Sequence, residues 1–514
     1  MIESELKITL DEAGLERLRR HPALVELRLA PRRTEVLLSV YYDTPDHALA
    51  ASGVALRLRK VGRGWVQTVK RKGGGTAAAG FFSHRESERP APGGRLVLGG
   101  PDEDGALASV AEAAGDVPLS PVFETRISRR IERLSAPGGG EIELALDDGV
   151  VCAGEASTPI REAELELKAG EVGAIYALAR VLFARGPVRF SASNKAALGY
   201  RLARREPAPE TGPRKARAPT LNPDETVETV ARDVLRDCLG QIADNMVVVA
   251  GSDDAEGPHQ LRIGLRRLRT ALAVFGPSLG AAATGPLNAA ARDLGRLVGR
   301  LRDADVLVAE VVEPAAAGLD APAHAALVAA LEARHAMVRT DVRASLAEWT
   351  GFLFDLGTFI EGRGWLAPSD YGQSARLAAP IADVAPAMLG KRHKRVRSAG
   401  KRIRQLDSEA LHELRKELKK LRYTVDMLGP LYPGDRVGPY LKALKELQDS
   451  FGSLNDAAMA AAELTGDGAP GAESPAAQRG VGWVLGTLDA RLSRDRPRLF
   501  DRWEELHDAE PFWS

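Results

Sequence analysis

The sequence predicts an α+β protein with a strand-rich N-terminal domain and an all-helical C-terminal domain. Three observations lead there. The apolar period is two up to about residue 203 and helical from about residue 223. Between them lies REPAPETGPRKARAPTLNPDE, rich in proline and charge and without an apolar period. The helical half also repeats itself at a fixed offset. A chain of 514 residues exceeds one ordinary core, so several domains are expected. The boundaries fall at 1–203 for the strand-rich domain, 204–221 for the linker and 222–508 for the helical domain.

Bulk composition narrows the function. The 70 lysines and arginines balance 70 aspartates and glutamates, and zero net charge argues against a simple nucleic-acid binder. Cys152 and Cys238 lie far apart and form no metal-ligand spacing, which fits a reducing cytoplasm. No basic start with an apolar core is present, so no signal peptide is expected. No apolar run reaches the roughly 20 residues a bilayer requires, so no membrane partner is expected.

The strands carry their charge on one face. IESELKIT puts Glu3, Glu5 and Lys7 opposite Leu6 and Ile8. VALRLRK presents Arg57 and Arg59, and WVQTVKRK presents Thr68, Lys70 and Lys72. EIELALDDG presents Glu141, Glu143 and Asp147, and REAELELKAG presents Glu162, Glu164, Glu166 and Lys168. One such strand is ordinarily a solvated edge. In five together, carboxylates concentrate on some strands and cations on others. Clustered carboxylates need a cation, and Mg²⁺ or Mn²⁺ suits their oxygens. Clustered arginines and lysines need an anion, for which polyphosphate is apt. A closed antiparallel barrel with these faces inward would be a tunnel for a metal-bound phosphate chain. Its apolar outer faces need helices, and DEAGLERLRRH and GEVGAIYALARVLFARG are candidates.

The opening ESELK resembles the ExExK signature of the CYTH superfamily, the triphosphate tunnel metalloenzymes. The likeness continues in order through YYDTPDHAL, ALRLRKVGRGWVQTVKRK, HRESERP, FETRISRRI, ELALDDG, EAELELK and SNKAALGYRL. It implies an eight-stranded antiparallel β tunnel and metal-dependent chemistry at a triphosphate. Carried over by position, it implies metal-side carboxylates at Glu3, Glu5, Asp147, Glu164 and Glu166, with Glu86 or Glu88 as further candidates. It implies phosphate-side cations at Lys7, Arg57, Arg59, Lys70, Arg129 and Lys195, with Arg126 and Arg130 competing for the place of Arg129. The last motif departs from the pattern, because Asn194 separates Ser193 from Lys195 and leaves the register of Lys195 open. Positioning and charge neutralisation dominate phosphoryl transfer. A second metal could activate or orient the water, or a carboxylate such as Glu5 or Glu166 could instead receive its proton, and the sequence does not choose between them; Lys7 is the third catalytic candidate. No nucleophile elbow or Walker loop is present.

In the helical half, HQLRIGLRRLRTALAVFG from His259 returns as HELRKELKKLRYTVDMLG from His412, an ungapped offset of 153 residues. LRDA at 301–304 returns as LNDA at 454–457. Two similar helical bundles related by a pseudo-twofold are expected. His259, Arg262, Arg266 and Arg269 form one helical stripe beside a leucine stripe, and His412, Arg415, Lys419 and Arg422 repeat it. KRHKRVRSAGKRIR at 391–404 adds Lys394, Arg397, Lys401 and Arg404 at the same spacing and has no counterpart in the first copy. This half resembles the CHAD domain, which implies inorganic polyphosphate held in a basic groove by these stripes, Lys394 and Arg397 included.

The expected protein is thus similar to bacterial CYTH–CHAD inorganic triphosphatases. It would be a metal-dependent hydrolase of inorganic triphosphate, cytoplasmic, with polyphosphate granules as a place of association. The alternatives are a polyphosphate-binding scaffold without efficient turnover, or a tunnel acting on thiamine triphosphate, nucleoside triphosphates or ATP cyclisation. Few aromatics lie among the basic residues, which provides poorly for base stacking and argues against nucleic acid.

Overall fold

The computed structural model describes residues 2–72, 79–102, 104–191, 193–207, 212–466 and 468–513. The chain forms two compact units, Met1–Gly212 with Thr350–Gly364, and Pro213–Trp349 with Trp365–Ser514. Among the described residues no helix is long and apolar enough to cross a membrane.

The first unit is built on β1 (Ile2–Thr9), β2 (Arg33–Asp43), β3 (Val54–Val61), β4 (Gly64–Lys72), β5 (Phe81–Pro90), β6 (Ser120–Ser135), β7 (Glu141–Ala153) and β8 (Ala156–Ala169). Their order is β5-β4-β3-β2-β6-β7-β8-β1, and β1 also pairs with β5. That closes an eight-stranded antiparallel barrel, with the two-residue β9 (Arg189–Phe190) added beside the end of β1. Closure leaves the barrel strands without a long free edge.

Alternation sorts the side chains as the charge pattern predicts. Leu6, Ile8, Leu144 and Leu165 face outward and are buried. They are covered by helices that include α1 (Glu12–Arg19) and α2 (Gly173–Leu182), while α3 (Lys195–Ala203) lies at one end of the barrel. The side chain of Asp11 caps α1, accepting from the Gly14 N–H at 2.6 Å. At one end of the barrel the inward positions turn apolar: Tyr41, Phe123, Ile127, Val151 and Ile160 pack beneath Tyr200 of α3. A Cβ at Gly199 would lie 2.1 Å from the Phe123 ring, so glycine lets α3 sit against this end.

The second unit contains α4 (Val227–Gly251), α5 (Glu256–Val274), α6 (Ala281–Val306) and α7 (Ala321–Leu346). The next helix, α8 (Thr350–Glu361), folds with the first unit. The second unit then resumes with α9 (Ile381–Gly400), α10 (Ser408–Leu428), α11 (Gly434–Thr465) and α12 (Pro475–Asp508). Buried Leu261, Leu265 and Leu268 on α5 recur as Leu414, Leu418 and Leu421 on α10, and α6 and α11 begin at Ala281 and Gly434. The first helices show where the two copies meet. The Val227 N–H donates to Ala379 O at 2.9 Å, the Ile381 N–H donates to Glu225 O at 2.8 Å, and Thr226 bridges Pro380. Equivalent segments exchange equivalent bonds, as a pseudo-twofold between them requires.

Within the first unit α8 lies on α2. Gly357 accommodates the Tyr176 ring, which a Cβ there would approach to 2.3 Å. Phe354 meets Phe190 edge-on at 6.1 Å, the Thr350 hydroxyl donates to Gly186 O at 2.5 Å, and Arg180 pairs with Asp355.

Candidate functional site

The strand registers set the barrel interior out in rows. Glu5 on β1 lies opposite Glu166 on β8, which lies opposite Glu143 on β7. In the next row Lys7 faces Glu164. In the third, Glu162 faces Asp147, which faces Arg129 on β6. Across the barrel Arg57 and Arg59 stand on β3, and Glu86 on β5 lies opposite Lys70 on β4.

The deep rows are already neutralised. Lys7 Nζ is 2.5 Å from Glu164 and 3.1 Å from Glu5. Arg129 donates two 2.7 Å bonds to Asp147 and one of 2.5 Å to Glu164. Lys195 Nζ reaches Asp147 at 2.7 Å and Glu164 at 2.8 Å, and it also touches Glu162. Burial opposes the charge on Lys7, but Glu164, Glu5 and Glu162 outweigh it and hold the ammonium well above its ordinary range. Burial likewise opposes charge on Glu164, and Lys195, Lys7 and Arg129 overcome it and hold the carboxyl well below its ordinary range. Glu162 goes the other way: burial, then the neighbouring Glu164, push it up although Lys195 touches it. The register of Lys195 is now plain. Asn194 is the N-cap of α3, its side chain accepting from the Ala197 N–H at 2.8 Å, and Lys195 is the first helical residue, turned into the barrel.

Two places crowd like charge. One is the acidic row of Glu5, Glu166 and Glu143, with Glu3 beyond it, met by Lys7, Lys168, Arg133 and His84. Directly opposed like charges destabilise neighbouring strands. Burial pushes the Glu166 carboxyl up, and Glu3 and Glu143 add to that against the 2.5 Å contact of Lys168. The other is Arg59. Its Nε donates to Ser39 Oγ at 3.2 Å, and among the described residues no carboxylate lies within 4 Å of it. Burial, then Arg57 and Arg129, push its guanidinium down to about 10. Arg57, by contrast, is 3.0 Å from Glu86.

Two clusters bring a ligand atom from each of three residues to within 4.8 Å: Glu3, His84 and Glu86, and Asp147, Glu162 and Glu164. The first already contains cations. Lys70 is 2.5 Å from Glu86, and His84 Nε2 is 3.1 Å from Glu3. Burial disfavours the imidazolium, but bonds to Glu3 and Glu86 raise His84 above its ordinary range. The second is matched by Lys7, Arg129 and Lys195, so it can accept a metal only by giving up a cation. Glu3, Glu5 and Glu166 offer further oxygen donors of the type Mg²⁺ and Mn²⁺ take.

Sequence reasoning overlooked two inward side chains, His84 and Tyr41, and left Glu162, which it placed on the charged strand face, out of the candidate site. His84 lies two residues before Glu86 on the same strand face, and period two alone identifies it. Tyr41 lies opposite Arg57 and stacks on Phe123 at 4.4 Å. Burial would raise its phenol, but Arg57 and Arg59 outweigh that and lower it. Two competitors of Arg129 fall outside the barrel. Arg126, three residues from Arg129, has the opposite phase, is 67 % exposed and pairs with Glu124. Arg130 pairs with the fully buried Glu132 at 2.6 Å. Glu88, half exposed, reaches Arg57 only at 4.0 Å.

In the second unit, α5 and α10 bring four predicted cations together, one pair from each copy. Burial, then Arg266, Arg415 and Arg262, push the Lys419 ammonium down to about 6. Burial, then Arg266, likewise lowers Arg415. Asp303 anchors Arg262 at 2.5 Å, and Asn455 anchors Arg415 at 3.0 Å. Farther along, Arg269 donates to Asn288 at 3.1 Å and Arg422 to Gln448 at 3.2 Å. Burial, then nearby cations, lowers His259 and His412. Lys394 and Arg397 do not belong to this group; they line a cavity between α9 and α12.

Comparison with known proteins follows the same division. The family model of the CYTH domain matches residues 1–200, and that of the CHAD domain matches residues 233–465. An inorganic triphosphatase of Haemophilus influenzae is 29 % identical over 203 residues, 39 % of this chain and 54 % of that protein, so about half of the relative's length is spanned. The CHAD domain from the plant Ricinus communis is 26 % identical with a TM-score of 0.50, covering 58 % of this chain and 98 % of that one. A putative adenylyl cyclase from Hippeastrum, described as having a dominant triphosphatase activity, is 19 % identical with a TM-score of 0.29, covering 40 % of this chain and 98 % of that one.

Proposed function

The chain carries a CYTH domain over residues 1–200 and a CHAD domain over residues 233–465, and on that premise we propose that it hydrolyses inorganic triphosphate in the barrel and holds inorganic polyphosphate on the helical unit. The observation that carries the reading is Arg59. A half-buried guanidinium with no carboxylate within 4 Å among the described residues, pressed by Arg57 and Arg129, is at a cost until an anion arrives. Among the relatives, the Haemophilus influenzae protein is named for this activity.

Arg59, Arg57, Arg129, Lys7 and Lys195 hold the phosphate chain. Asp147 and Glu164 fix three of those cations in place beforehand, so little reorganisation remains when charge develops. Glu3, Glu5 and Glu166 would hold Mg²⁺ or Mn²⁺, which would supply positive charge against phosphate oxygens and a more acidic bound water. Glu166, whose carboxyl is raised by burial, accepts the proton of the attacking water at a carboxylate oxygen. Water adds to a terminal phosphorus, the phosphoanhydride bond breaks, and pyrophosphate leaves. On the helical unit, Arg262, Arg266, Arg415 and Lys419 repel one another until a polyanion joins them.

The test is phosphate release from tripolyphosphate, ATP and thiamine triphosphate with Mg²⁺, Mn²⁺ or chelator. Tripolyphosphate should be cleaved fastest and chelator should stop it. No release with either metal would sink the hydrolase reading and favour a binding scaffold.

A further inference from the structure

The pseudo-twofold exposes one difference between the copies. Equivalent bonds at Val227 and Ile381 align α4 with α9 at an offset of 154 residues. On α4, Asp237, Gly240 and Asp244 form a seat that is filled by the chain itself. Arg214 places its guanidinium 2.8 Å from Asp237 and 3.1 Å from Asp244, and a Cβ at Gly240 would lie 2.3 Å from it. The counterparts on α9 are Lys391, Lys394 and Ser398. Two acids and a glycine have become two lysines and a serine.

Along this inverted face runs a cavity of about 890 Å³. Lys394, Arg397, Lys401, Arg402 and Arg404 line it, and α12 supplies its wall through Trp503. Its one acid, Glu504, is taken by Arg404 at 2.9 Å. A Cβ at Gly400 would come within 2.0 Å of the Trp503 ring, so glycine leaves that wall its place. His393 offers a fixed polar atom: Nδ1 is 2.7 Å from the Tyr440 hydroxyl, while buried Nε2 has no hydrogen-bond partner among the described residues.

We propose that the cavity between α9 and α12 is a second anion site, separate from the cations shared by α5 and α10, and that it takes a short inorganic condensed phosphate. The site follows from the geometry: the seat that holds a cation in the first copy is reversed in sign and open in the second. The choice of condensed phosphate among small polyanions rests on the function proposed above.

Lysine acylation of the full chain, read residue by residue by mass spectrometry, tests both separately. Tripolyphosphate with chelator should slow modification of Lys394 and Lys401, by about tenfold when present at about ten times its Kd. The protection should persist when Arg262, Arg266, Arg415 and Lys419 are all changed to glutamate, and should vanish in Arg404→Glu. In the parent, Lys419 reads the groove independently through its protection by long-chain polyphosphate. Unchanged rates at Lys394 and Lys401, protection by polyglutamate or ATP but not by tripolyphosphate, or protection lost in the quadruple variant would overturn the second site. Loss at Lys419 alone would count against the groove and leave the cavity standing.

Discussion

Replacing Arg59 with methionine separates binding from folding, because the two should move in opposite directions. The guanidinium is held at about 10 against an ordinary value of 12.5. At about 1.4 kcal/mol per unit, the charged form costs at most ~3.5 kcal/mol of folding stability. The sign is fixed by the depression: the cost is present at every pH below about 10 and fades only as the group loses its proton. Methionine removes it, but also removes the 3.2 Å bond to buried Ser39, a loss of ~1 kcal/mol or somewhat more. The ligand-free variant should therefore be ~1–2 kcal/mol more stable, a rise of a few degrees in Tm for a unit of this size. Activity should fall, since losing a charge-assisted contact to phosphate is worth ~2–3 kcal/mol, about 10²-fold in kcat/KM. Thermal unfolding with and without tripolyphosphate, alongside steady-state phosphate release, reads both quantities. A variant that is less stable and cleaves tripolyphosphate at the parent rate would refute the reasoning, because Arg59 would then be structural.

Three further outcomes are expected. The Glu5→Gln, Glu166→Gln double variant should lose ~10²-fold or more in activity yet unfold no earlier than the parent in chelator, since it relieves the acidic row; undiminished activity would remove these residues from the site. The same row predicts a pH effect. Glu166 is raised in the fold, so its ionisation costs stability as pH climbs, and metal-dependent activity should fall as acid protonates it; single Glu166→Gln should erase that limb of the pH profile. On the helical unit, Lys419 sits at about 6 and is mostly neutral at pH 7.5, so docking a polyanion should draw in a proton. Calorimetry of long-chain polyphosphate binding in buffers of different ionisation enthalpy should detect that uptake, with affinity falling as pH rises and as salt screens the charges. Lys419→Met should abolish the uptake.

Much of the barrel was legible because a strand's period is two and charge is costly to hide. Glu3, Glu5 and Lys7 declared one face, and opposed rows of acids and bases declared an interior. The same rule, applied without skipping, reaches His84 and assigns Arg126 outward. Tyr41 was less legible, since an aromatic in a strand is ordinarily core and its role depends on which strand lies beside it. Asn194 read as an interruption in a motif, but it is a cap, and capping depends on a backbone conformation that spacing alone does not reveal. The duplicated stripes announced two copies but not how their cations divide. Arg262, Arg266, Arg415 and Lys419 converge only because α5 and α10 come into contact, whereas Lys394 and Arg397 share the spacing and face another helix. Nor does hydrophobicity say which unit the apolar helix α8 joins, since any buried surface would satisfy Leu353, Leu356 and Ile360.

The placement of α8 bears on how this protein is born. The ribosome finishes the barrel strands and reaches Gly212, but the last helix of that unit begins only at Thr350, 350 − 212 = 138 residues later. At about 5–20 residues per second, the nascent barrel waits roughly 7–28 s with the α2 surface around Tyr176 bare. During that interval the first helical copy emerges, ahead of the partner whose strand-like bridge at Pro380 it needs. The two units are therefore translated interleaved, and neither can be completed before synthesis has moved on into the other. A stalled or truncated chain ending between residues 212 and 350 would release a barrel with an uncovered apolar helix, a natural target for chaperones and proteases.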